Sequence, residues 1–424
     1  MLTSDQGHTS SENNNNSHDG EDHHGPIRST DISSSVVPSL SSMMGGGSTD
    51  LQSSSRSNNG RGNPQSSSLS DGGGHVNSSS NTDEEGHHSY VKRSSSKYDF
   101  VKVRVGLENH YYILSRFIVS RILTVIQVKY KDSIKIALEL KKTLVDLNLL
   151  NIPQEELEKQ LFDIMRKYGY GDQTITRYKL MSLFHHKRIP LLILVFGTGC
   201  VGKSTLATQL GERLNTPNVV QTDVVLDLIN SFNLHSSKNA KSYEKQIPVW
   251  FSKFPDKKSF LTQYKEQCVF MKKALQGDIE KCFGDGKSLI IEGSHIDPEI
   301  YKDMFETYIS NDNQTEKKEG IIIPFFISVS NKEEHELFFE QWLSKREHDI
   351  NDSRTHTLGA NFEEKLQTLS ENFQYMQEYY EESTRNMPYI HKVVINHRRL
   401  DETLDALHNY VLDRIFSVVE KIKE

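Results

Sequence analysis

Cysteine is scarce: the 424 residues hold only Cys200, Cys268 and Cys282, and their spacing offers neither a disulfide framework nor a metal-ligand set. Cys200 lies in a glycine-rich loop, where a thiol suits a reducing compartment, so the cytoplasm is the expected location. Long apolar runs are missing too. No stretch approaches the ~18 apolar residues of a membrane span. The opening Met1-Leu2-Thr3-Ser4-Asp5-Gln6 has no basic segment leading into an apolar one, and a soluble chain without a membrane partner is expected. Nor is there an excess of positive charge. With 50 Lys and Arg against 57 Asp and Glu, the formal net charge of −7 argues against general attraction to nucleic acid or anionic lipid.

Large apolar side chains are nearly absent from residues 1–96, which are mostly Ser, Asn, Gly, His and Asp. Such a segment cannot offset the entropy of ordering, and it is expected to be a disordered tail. His23, His24, His87 and His88 are scattered through this low-complexity sequence, a pattern that binds no specific metal.

The composition changes at Tyr98. Residues 100–105 alternate apolar and basic, as a half-exposed strand would, and residues 106–110 turn the chain back into Tyr111-Tyr112-Ile113-Leu114. Helical spacing follows over residues 116–127 and 132–147. A third helix begins after Asn151-Ile152-Pro153, with Glu155, Glu156 and Glu158 at its positive end, and stops at Gly169 and Gly171. Residues 173–186 read as a short connecting segment. Residues 97–186 are therefore expected to form a small, mostly helical domain.

From residue 187 strands and helices alternate. Strands are predicted at 191–196, 218–221, 287–293, 321–329 and 392–395, and helices at 204–214, from 224, 258–283, 332–345, 361–385 and from 400. This βαβ rhythm predicts an α/β fold, a parallel sheet with helices on both faces over residues 187–424.

The chemistry is carried first by Gly197-Thr198-Gly199-Cys200-Val201-Gly202-Lys203-Ser204, which fits the phosphate-loop pattern G-x-x-x-x-G-K-[ST] directly after a buried strand. Glycine at 197, 199 and 202 lets backbone amides turn inward on phosphate oxygens. Lys203 supplies a charge for the β- and γ-phosphates, and Ser204 a hydroxyl for Mg²⁺. The helix that opens there, with Thr205 in its first turn, completes the anion site. ATP and Mg²⁺ are the expected ligands of residues 197–205.

Parallel strands present their carboxyl ends on one edge, so Asp223 and Glu292 should face this loop. Asp223 would orient or deprotonate a phosphoryl acceptor, and its position equally suits capping the helix from Val224; the two roles are compatible. Glu292 is a strand-end acid of the type that holds magnesium, with His295 on the loop behind it. Between the last two strands, Lys345, Arg346 and Arg354 fit a lid that brings arginine to the transferring oxygens, or else the solvated face of a charged helix. Asn331-Lys332-Glu333-Glu334 imitates the start of a guanine-recognition motif, but Glu334 stands where its aspartate should be, so guanine specificity is not expected. Trp250, Phe251, Lys253 and Phe254 would be the local candidate for a nucleic-acid groove, although such an aromatic cluster also reads as core.

Gly199-Cys200-Val201-Gly202-Lys203-Ser204-Thr205, Gln221-Thr222-Asp223 and Ile290-Ile291-Glu292-Gly293-Ser294-His295 together resemble the archaeal 2-phosphoglycerate kinases and their plant phytate-linked relatives. Ser115-Arg116, the helices after it and Arg177-Tyr178 are similar to the ATP-cone domain that precedes the kinase in that family. Glu333-Glu334-His335 and Asn361-Phe362-Glu363 fall where its later motifs would. The resemblance implies a P-loop NTPase fold behind an ATP-cone-like domain, with Lys203 and Ser204 on nucleotide and magnesium and Asp223 and Glu292 at the active edge. Departures are clear as well: residues 232–260 fit the substrate-facing segment poorly, and the cone's usual turn is represented only by Val103-Arg104-Val105-Gly106. The reading is an ATP-dependent kinase of a small phosphorylated metabolite, such as 2-phosphoglycerate or a phosphorylated polyol. Its rival is a nucleotide-sensing regulatory protein that turns over no acceptor.

Overall fold

The computed structural model describes residues 97–107, 110–236, 247–309, 320–329, 331–347, 358–396 and 399–423, so the expected tail over 1–96 lies outside them. The first described elements are helix α1 (Lys97–Phe100) and a small sheet in which β1 (Arg104–Gly106) pairs antiparallel with β2 (Tyr111–Ile113) and parallel with β3 (Asn151–Pro153). One residue of each strand is buried, and the three face one another in register: Val105 opposite Tyr112 and Ile152. The strand predicted over 100–105 begins later than its alternation suggested. Its partners start only at the level of Arg104, and Val103 keeps a single ladder-like bond, its carbonyl accepting from Leu114 N.

Helices α2 (Arg116–Val125), α3 (Tyr130–Asp146) and α4 (Gln154–Lys167) lie within two residues or so of their predicted starts. Ser115 caps α2, its hydroxyl accepting from Ile118 N, and α4 opens after Pro153 with Glu155 and Glu156 in its first turn. Residues 173–186 are no mere connection. They form α5 (Asp172–His186), whose buried residues Ile175, Tyr178, Leu180, Met181 and Phe184 point in several directions. The helix is covered on more than one side, by α12 (Leu400–Lys423) among others, and so lacks the single apolar stripe by which a surface helix is recognised.

The main sheet is parallel throughout: β5 (Val219–Gln221), β6 (Ser288–Glu292), β4 (Leu191–Phe196), β7 (Ile321–Val329) and β8 (His391–Ile395), in that spatial order. Central β4 is buried along its whole length, and its alternation decides which layer each side chain joins. Leu191, Ile193 and Val195 enter one cluster with α6 (Lys203–Arg213), α12 and the helices before β4, while Leu192, Leu194 and Phe196 enter another with α8 (Lys257–Asp285) and α11 (Phe362–Ser383). Helices therefore cover both faces, as an α/β fold of this class requires. The remaining helices are α7 (Thr222–Ser236), α9 (Lys302–Ile309) and α10 (Lys332–Glu347). Among the described residues, no helix is long and apolar enough to cross a membrane.

Candidate active site

The chain leaves β4 into a loop that only glycine can build at two points. Gly197 has φ 147°, and a Cβ there would stand 2.2 Å from the carbonyl oxygen of Ile327 on β7. At Gly199 a Cβ would stand 2.2 Å from the ring of Phe373 on α11. Gly202, left-handed at φ 83°, precedes the first turn of α6. Cys200 takes a left-handed conformation as well, at φ 59°, a strain of roughly 1–2 kcal/mol that the surrounding packing must offset. A loop held open this way presents successive amides at a helix N-terminus, the arrangement that binds phosphate. Thr198 Oγ1 is buried in it without a hydrogen-bond partner.

Lys203 is buried, and its ammonium group donates to the carbonyl oxygen of Thr198 at 2.6 Å. Burial pulls its pKa down, while the charges of Glu292 and Asp223 act in the opposite direction. Glu292, at the end of β6, is buried too. Burial raises its pKa; Lys203 and a hydrogen bond from the Ser204 hydroxyl counter that rise. Lys203, Ser204 and Glu292 thus form one cluster at the mouth of the sheet, and the cradle and its donor set fit a Mg²⁺-bound triphosphate. Two hydrogen bonds tie the loop after β6 to this cradle: Gly293 N donates to Val195 O at 3.0 Å, and the Ser294 hydroxyl to Gly197 O at 2.9 Å. Behind it, the hydroxyls of Tyr264 and Tyr380 lie 2.7 Å apart and both reach the Ser294 carbonyl.

Asp223 stands on the same edge with an exposed side chain, 3.5 Å from His295 Nδ1. α7 begins at Thr222, so Asp223 lies inside the first turn instead of capping it. The capping alternative therefore falls away, because the helix starts two residues earlier than its polarity pattern indicates. Arg346 lies in the last turn of α10, Lys345 beside it is exposed, and Arg354 lies outside the described residues.

One further part of the site carries little linear signal. His335, on α10, donates from Nε2 to the carbonyl oxygen of Gly199 at 2.9 Å, with its ring against Phe339. Before folding, only its place in a late family motif marked it. Asn331 is the cap of α10, its side chain accepting from Glu333 N at 2.9 Å, which accounts for the stretch that imitates a guanine motif. Trp250 and Phe251 are core residues, 3% and 5% exposed, and Lys253 pairs with Glu364, so these side chains form no stacking groove.

No family model matches the chain. It is similar to the 2-phosphoglycerate kinase of Methanopyrus kandleri, 25% identical over 318 residues that cover 74% of this chain and 88% of the relative. To the 2-phosphoglycerate kinase of Methanocaldococcus jannaschii it is 24% identical over 226 residues, 53% of this chain and 69% of the relative. Among solved structures, a gluconokinase from Sinorhizobium meliloti matches with a TM-score of 0.25 and 14% identity, over 53% of this chain and 97% of that one.

Proposed function

We infer that this chain, a P-loop small-molecule kinase akin to the archaeal 2-phosphoglycerate kinases, transfers the γ-phosphoryl group of ATP to a hydroxyl of a small phosphorylated metabolite, of the 2-phosphoglycerate or phosphorylated-polyol type. The observation that carries this reading is the meeting of Lys203, Ser204 and Glu292 at the end of β6, with Asp223 on the same edge. The amides of residues 197–203 would hold the β-phosphate. Lys203 would give up its bond to Thr198 O and neutralise the β- and γ-oxygens. Cys200, Val201 and Thr205 complete the nucleotide cradle. Ser204 and Glu292 would hold Mg²⁺, which when bound neutralises phosphate oxygens. Asp223 faces the open side and would orient the acceptor hydroxyl and take its proton. Arg346 and Arg354 are assigned to a lid that excludes water.

In this proposal residues 97–186 form an ATP-cone-like domain before the kinase domain of 187–424, residues 1–96 form a disordered tail, and the enzyme works in the cytoplasm. The test is ADP release by the purified full chain with Mg·ATP and a panel of phosphorylated metabolites, 2-phosphoglycerate first. Acceptor-dependent ADP supports the kinase. ATP binding by calorimetry with no acceptor consumed would support the nucleotide sensor instead.

A further inference from the structure

Behind the phosphate site, a line of polar side chains joins the loop after β6 to the start of α7, and phosphate binding makes no use of it. His295 is fully buried, with Nε2 at 3.1 Å from Gln267 Oε1 and Nδ1 at 3.0 Å from Thr222 Oγ1. Gln267, on α8, decides which nitrogen carries the proton. Its Oε1 accepts the amide of Val249 at 3.0 Å and its Nε2 donates to the carbonyl of Ile247 at 2.9 Å. Turning that amide round would set donor against donor and acceptor against acceptor, so Oε1 must face the imidazole. Nε2 of His295 is then the donor, Nδ1 holds a lone pair, and the Thr222 hydroxyl donates to it. Burial keeps the ring neutral, with its pKa pushed down to about 4. The contact of 3.5 Å between Nδ1 and Asp223 is therefore no ion pair.

Thr222 is itself buried and opens α7. It reaches His295 across Gly293, where an added Cβ would stand 1.8 Å from the Thr222 hydroxyl oxygen. On the other side the Trp250 ring packs 4.6 Å from the imidazole, and Asn372 on α11 donates to the carbonyls of Trp250 and Ser252 at 3.0 and 2.8 Å. The segment 247–252 is thus held by Gln267 and Asn372, and His295 connects it to α7.

We propose that His295 is a positioning residue: fixed as the Nε2–H tautomer by Gln267, it takes the Thr222 hydrogen bond at Nδ1 and so pins the first turn of α7, placing the Asp223 carboxylate relative to segment 247–252. This rests on Asp223 being the residue that orients the acceptor. It makes residues 247–252 the wall against which the acceptor side is set, although none of their chemistry is catalytic.

Two arms test it in the full chain. Histidine ring spectra of the ¹⁵N-labelled protein near neutral pH should contain a signal, lost in His295→Asn, with the proton on Nε2 and a bare Nδ1; a proton on Nδ1 instead overturns the proposal. In the second arm, Thr222→Val removes the donor at constant shape. Its crystal structure should show the Asp223 carboxylate displaced, and its kcat should fall by about tenfold with the KM for ATP unchanged, Thr222→Ser restoring both. An undisplaced carboxylate together with wild-type kcat overturns the role. Should Thr222→Val not fold, His295→Phe takes its place: a ring is kept, the Thr222 hydroxyl loses its acceptor, and the same loss of kcat is expected.

Failure here is distinguishable from failure of the kinase reading. If no acceptor, 2-phosphoglycerate included, is turned over while the tautomer and the displacement are found, the positioning stands and the acceptor role of Asp223 falls. Turnover by wild type with full kcat in Thr222→Val gives the reverse.

Discussion

Phe373, on α11, holds its ring where a side chain at Gly199 would have to go, so that a Cβ there would stand 2.2 Å from the ring's tip. On the same glycine, the carbonyl oxygen takes the His335 hydrogen bond from α10 at 2.9 Å. Two helices remote in sequence therefore set the shape of the phosphate loop. Gly199→Ala is expected to weaken Mg·ATP binding at least tenfold and to lower stability by roughly 1–3 kcal/mol through overpacking. Calorimetry and urea unfolding would measure the two effects, and adding Phe373→Leu should recover part of each.

Asp223→Asn keeps the shape of the first turn of α7 and removes the negative charge from the open edge. kcat should fall by about a hundredfold or more while the dissociation constant of Mg·ATP stays within about twofold of wild type. Equal losses in turnover and in nucleotide affinity would place Asp223 on the nucleotide instead of the acceptor.

Glu292 accepts from Ser204, so its charge holds the hydroxyl assigned to Mg²⁺. Glu292→Gln should raise the Mg²⁺ concentration needed for half-maximal rate by about 10–100-fold, the range seen when a partner of a metal site is lost. Titrating the rate with Mg²⁺ at saturating ATP checks this; an unchanged requirement would remove Glu292 from the metal.

His295 and His408 are both buried, and burial pushes each pKa down to about 4 from an ordinary 6.5. His408 also donates to the carbonyl of Val125 at 3.0 Å. The folded state keeps these rings neutral while the unfolded chain takes up protons below pH 6.5, so stability present above that pH is lost as pH falls toward 4. Each histidine should account for up to ~3 kcal/mol of that loss. Urea unfolding at a series of pH values should therefore show a steep decline in this window, and a shallower one in His408→Gln.

Most elements of the main sheet were legible in the sequence because period and punctuation agree there. β4 is a run of six apolar residues before a glycine-rich turn, and β6 ends in Glu292 followed by Gly293. α5 was not legible, since a helix packed on more than one side spreads its apolar residues around the axis and shows no stripe. The strand over 100–105 was misplaced because alternation reports which side chains face inward, while the ladder begins only where a partner is available.

The sequence by itself determined the phosphate loop, the order of strands along the chain and the two acids at strand ends. These are local matters: a left-handed glycine, a lysine at the first position of a helix and an acid after an apolar run are each specified within a few residues. What only the tertiary structure decided is which distant groups meet there. His335 and Phe373 on the loop, and Gln267, His295 and Thr222 behind Asp223, come together because parallel strands gather their ends on one edge and the helices between them must cover both faces. That packing depends on contacts across more than 130 positions, as between Gly199 and His335, and no pattern within a window of sequence records it.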